Sequence, residues 1–65
     1  MSSYRCFLFD ASKLVGTRAF EDKAKAEASV LFGLRWGVFD RAEIWADSGK
    51  LVAWEKHGEE LRETV

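Results

Sequence analysis

The 65-residue chain contains no proline, one cysteine and one histidine. A disulfide framework needs several cysteines, and a structural zinc site needs about four Cys or His ligands; Cys6 and His57 supply neither. No stretch approaches the roughly 18 apolar residues of a membrane-spanning helix. Met1-Ser2-Ser3-Tyr4 runs straight into an apolar pattern with no basic segment and no leader-like hydrophobic run, so the expected location is the cytoplasm. Basic charge in excess is missing too: net charge is −1, and after residue 41 the acids Glu43, Asp47, Glu55, Glu59, Glu60 and Glu63 outnumber Lys50, Lys56 and Arg62. Phosphate binding relies on clustered cations that release counterions, and beyond Lys23 and Lys25 there is no cluster. Phosphate-cradling glycine spacing is absent as well, since Gly33 and Gly37 form neither G-x-G-x-x-G nor a Walker motif.

What the chain has is apolar surface and repeated turn chemistry. It is 48% hydrophobic and 32% charged, with three tryptophans and five phenylalanines, the composition of a folded domain. Asp10-Ala11-Ser12-Lys13-Leu14-Val15 recurs as Asp47-Ser48-Gly49-Lys50-Leu51-Val52, each copy between two strand-like runs, which predicts two hairpins. Tyr4 to Phe9 is apolar on both alternating faces after Arg5, as in a central strand, and Leu14 to Phe20, interrupted by Gly16, Thr17 and Arg18, reads as an edge strand. Between the hairpins, Lys23-Ala24-Lys25-Ala26-Glu27-Ala28 is rich in helix formers. It predicts a helix over Lys23 to Trp36, capped by Asp22, stopped by Gly37 and apolar along Ala24, Ala28 and Leu31. Gly33 either permits close packing on the sheet or ends the helix early. Arg41 to Ala46 and Leu51 to Lys56 form the second hairpin.

The expected fold is therefore α+β: a ββαββ domain over residues 1–56, with a four-stranded antiparallel sheet in the order 2-1-3-4 and one helix on one face. Residues 57–65 are mostly charged and are expected to form a frayed polar tail. Pairing Phe9 with Leu14 and Ala46 with Leu51 puts Phe7, Phe9, Leu14, Gly16, Phe20, Ala42, Ile44, Ala46, Leu51 and Ala53 under the helix. The opposite face then collects Tyr4, Cys6, Leu8, Val15, Thr17, Trp45, Val52 and Trp54. One helix cannot cover both faces, so this second, aromatic face is expected to be a dimer or partner interface carried by Tyr4, Leu8, Val15, Trp45, Val52 and Trp54. A parity slip of one residue at a bulge would instead bury the tryptophans in the core. Cys6, inside a strand pattern, is expected in core or interface.

Tyr4-Arg5-Cys6-Phe7-Leu8-Phe9-Asp10, Phe20-Glu21, the Ala-rich helix, and Ala42-Glu43-Ile44-Trp45 before Lys50-Leu51-Val52 resemble a family of small bacterial ββαββ proteins that form a domain of unknown function. The resemblance spans most of the chain and departs at Ser12-Lys13, where the family pattern carries a glycine. It implies the fold and no activity, cofactor or catalytic residue.

Catalysis is not expected, because a Ser/His/Asp arrangement would have to use His57 at the start of the polar tail. No cofactor or metal is expected. The expected function is a noncatalytic interaction module, homodimeric through the aromatic sheet face or bound there to another protein. Stacking of single-stranded nucleic acid on Tyr4, Trp45 and Trp54, and a small apolar ligand held between subunits, are the alternatives.

Overall fold

Two non-glycine residues in the left-handed conformation begin the fold: Ala11 and Ser12 have φ of 51° and 67°, as a primed two-residue hairpin turn requires. In the computed structural model, which describes residues 3–64, this turn joins β1 (Tyr4–Asp10) to β2 (Lys13–Phe20). Helix α1 (Lys23–Arg35) follows, then β3 (Arg41–Ala46), β4 (Gly49–His57) and β5 (Glu60–Thr64). The sheet is antiparallel, in the order β2-β1-β3-β4-β5.

The described residues thus form five strands rather than the expected four. Residues 57–65 were expected to fray, yet Gly58, with φ of 64°, turns the chain so that His57 pairs with Glu60, and β5 runs back along β4. An edge strand needs backbone partners more than apolar side chains, and charged residues on an edge discourage further pairing. A single inward residue is enough here: Leu61 packs against the core, and the Thr64 hydroxyl donates to the Ala53 carbonyl at 3.4 Å.

Helix α1 starts at Asp22, whose side chain accepts from the Ala24 amide at 2.8 Å. At its end the amides of Gly37 and Val38 donate to the carbonyls of Leu34 and Gly33, and Gly37 has φ of 72°. This is the Schellman arrangement, in which a left-handed glycine satisfies the last carbonyls. The inward stripe is Ala26, Val30, Gly33 and Leu34, not Ala24, Ala28 and Leu31. Alanines at 24, 26 and 28 fit any face, and the branched pair Val30 and Leu34, one turn apart, sets the rotation of the helix.

Gly33 lies inside the helix for a packing reason. A Cβ there would collide with the Phe39 ring, and Phe39, in the loop before β3, is 1% exposed. The ring fills the space between helix and sheet, with Cys6, Leu8, Ala26, Val30, Leu34, Ala42, Ile44 and Val52 completing the core.

On β1 and β4 the helix covers side chains expected to be free, Cys6, Leu8, Val52 and Trp54, while Ala42, Ile44, Phe20 and Leu51 lie on its side as expected. Cys6 pairs with Ile44 and Leu8 with Ala42, so these side chains share the helix face. In the second hairpin Ala46 pairs with Gly49 rather than Leu51, and Ile44 with Val52, leaving Leu51 as the extra residue of a bulge. Gly49, with φ of 127°, lets the chain reverse in two residues. That shift moves Val52 and Trp54 beneath the helix; independently of it, Phe7 pairs with Glu43, Phe9 with Arg41 and Leu14 with Phe9, which puts Phe7, Phe9 and Leu14 on the other side. In the first hairpin Phe9 does pair with Leu14, and Val15 is the bulged residue before Leu8 meets Gly16.

Candidate interaction face

The face opposite the helix is built on the two central strands. Side chains of one strand parity share a face, so Arg5, Phe7 and Phe9 of β1 lie beside Trp45, Glu43 and Arg41 of β3. Ser3, Arg5, Phe7, Phe9, Leu14, Glu43, Trp45, Ala46 and Asp47 line a concavity of about 560 Å³. Its floor is aromatic and its rim is charged.

A polar network fixes the floor. The Trp45 indole N–H donates to Glu43 Oε1 at 3.0 Å, and its ring meets Phe7 edge to face at a centroid distance of 6.2 Å. The other Glu43 oxygen accepts from Arg41 at 2.7 Å, with Lys50 Nζ 3.9 Å away. Arg41 also donates to Glu55 Oε1 at 3.2 Å, and its guanidinium lies 5.4 Å from the centre of the Phe9 ring, within cation–π range. His57 Nε2 is 3.0 Å from the second Glu55 oxygen. Trp45 and Phe9 are therefore held in place before anything binds.

The same contacts set the protonation of the network. Partial burial pushes the Glu43 carboxyl up, but the hydrogen bonds from Trp45 and Arg41 and the charges of Arg41 and Lys50 outweigh it, holding its pKa below the ordinary 4.5. Glu55 is held below the same value, first by its hydrogen bond with His57 and then by Arg41. The Arg41 guanidinium is raised, chiefly by its hydrogen bond to Glu43. On the other side of the sheet, burial pushes the Cys6 thiol up against the opposing charge of Arg18, and a thiol held protonated is a poor nucleophile. Among the described residues no three His, Cys, Asp or Glu side chains gather as a metal site, and no helix is long and apolar enough to cross a membrane.

Of the six residues expected at an interface, Trp45, 37% exposed, lies on this face. Val15 is 56% exposed at the β2 bulge. Leu8 and Val52 are core residues, and Tyr4 and Trp54 pack against the core on the helix side. Phe7, Phe9 and Leu14, expected under the helix, form the open surface instead. One pattern in the first strand carries this information: Arg5 shares the parity of Phe7 and Phe9, and a charged side chain does not belong beneath a helix. A second apolar group, Phe32, Trp36 and Val38, stands exposed around the C-terminal end of α1. The chain matches no family model, no curated protein and no solved structure.

Proposed function

We infer that the chain is a small cytoplasmic, noncatalytic interaction module of the bacterial family its strand motifs resemble, homodimeric through the open face of its sheet. The observation that carries this reading is the uncovered aromatic floor of Phe7, Phe9 and Trp45 on the central strands, in a chain whose own core is small. A 65-residue domain buries only about 60% of its unfolded surface, so covering this floor stabilises both subunit and assembly. Five strands about 4.8 Å apart and roughly 25 Å long offer about 600 Å² in projection, close to the roughly 800 Å² that each partner contributes to a stable interface.

Sedimentation equilibrium tests this reading. A dimer is expected at micromolar concentration, and Trp45→Ala is expected to raise its dissociation constant at least tenfold while the subunit stays folded, because aromatic anchors dominate association energy. A chain that stays monomeric at several hundred micromolar refutes it.

A second reading has its own support: aromatic side chains on two adjacent central strands, open to solvent, form a platform on which bases can stack. Against it, Arg41 and Lys50 are engaged with carboxylates. Binding of single-stranded RNA or DNA at physiological salt, lost in Trp45→Ala, would put nucleic acid in place of the second subunit.

A further inference from the structure

The geometry points to a crossed pair of ion bridges, Arg5 of each copy with Asp47 of the other, as the element that orients the dimer; this rests on the face-to-face association proposed above. Arg5 and Asp47 line the same end of the concavity, since Arg5 pairs across the strands with Trp45, two residues before Asp47. Both are exposed. Among the described residues neither makes an ion pair or a side-chain hydrogen bond, whereas Glu43, Glu55, Arg41 and Lys50 on the same face are already joined.

A two-fold interface brings the same patch of both copies together, so each contact between residues i and j occurs twice. Face-to-face sheets pack about 10 Å apart, and the aligned class, with strands within about 30° of each other, offers two arrangements. With the two-fold axis along the strands between β1 and β3, like ends meet. Arg5 of one copy then lies over Trp45 and Asp47 of the second, and the reverse contact forms by symmetry. With the axis across the strands, ends are reversed, and Arg5 faces the Arg41–Glu55 end, whose charges already have partners. Charge complementarity therefore selects the arrangement with like ends together. The second copy also brings its own Trp45 to the concavity, beside the Arg5 guanidinium, where the ring face attracts a cation.

The test is a charge swap read by sedimentation equilibrium of the full chain. Arg5→Glu and Asp47→Arg are each expected to raise the dimer dissociation constant about tenfold or more, because each sets like charges against each other twice. The double variant R5E/D47R is expected to return to within about threefold of the parent. Both positions are exposed, so circular dichroism should show all three variants folded. Singles that dimerise like the parent, or a double variant weaker than either single, would overturn the bridge while leaving the dimer intact. A parent that is monomeric would overturn the dimer itself.

Discussion

Replacing Gly33 by alanine opposes two effects of known sign. In an exposed helix interior the change stabilises by about 1 kcal/mol, because glycine has more backbone freedom to lose. Here the new methyl group meets the Cε2 and Cζ atoms of Phe39, with Cε1 at 3.2 Å. The ring is 1% exposed and enclosed by helix and sheet, so it has no space to withdraw into. Overpacking a filled core costs about 1–3 kcal/mol, and a collision with the end of a rigid ring belongs at the upper end. The net expectation is a loss of about 2 kcal/mol. For a urea m-value of roughly 1 kcal/mol/M this lowers the unfolding midpoint by about 2 M, and it lowers the melting temperature by roughly 10 °C. Tryptophan fluorescence and circular dichroism in urea measure both. Combining Gly33→Ala with Phe39→Leu should cost less than the sum of the two single changes, since the smaller side chain makes room for the methyl. A Gly33→Ala variant more stable than the parent would refute the packing account and return Gly33 to an ordinary helix position.

Two further outcomes follow from local geometry. Changing Ala11→Asn together with Ser12→Gly should stabilise the fold by about 1–2 kcal/mol in the same urea assay, because both positions have positive φ and ordinary side chains resist it; no gain would mean that the turn is not strained. Stability should fall as pH drops from about 5, because the unfolded chain binds protons at its Glu43 and Glu55 positions at higher pH than the folded chain does. Their contribution is complete above the ordinary carboxylate range and is lost as pH passes down through the lowered values. Glu43→Gln should flatten this dependence, and an unchanged slope would show that the network does not couple to folding.

Much of the architecture was legible because turns and caps act through one or two residues. The Asp-Ser turns, Asp22 and Gly37 carry their structural role in their own chemistry, and β2-β1-β3-β4 are neighbours in the order these signals imply. Side-chain parity was less legible because it depends on where a bulge falls. The displacement of Leu51 from the pairing moves Val52 and Trp54 to the other face, and its one trace in the turn is Gly49, which lets the chain reverse in two residues. β5 was hidden for a related reason: its stabilisation comes from backbone pairing and from Leu61, while Glu60, Arg62 and Glu63 read as tail. At the interaction face the displacement of Leu51 accounts for Val52 and Trp54 alone; Tyr4 and Leu8 lie on the helix side because β1 meets β3 with Cys6 beside Ile44 and Leu8 beside Ala42. Trp45 lies on the free face, as its parity implies, with Phe7, Phe9 and Leu14 beside it in place of those four.

Asp40 makes three contacts with three parts of the chain. Its amide donates to Phe9, its carbonyl accepts from Lys56, and its carboxylate accepts from the Ala11 amide. One loop residue thus fastens the tip of the first hairpin to the far end of the second. Neither hairpin can peel away without breaking these bonds, so the amide protons of Ala11, Asp40 and Lys56 are tied to a single opening event. Isotope exchange should find the two halves behaving as one cooperative unit.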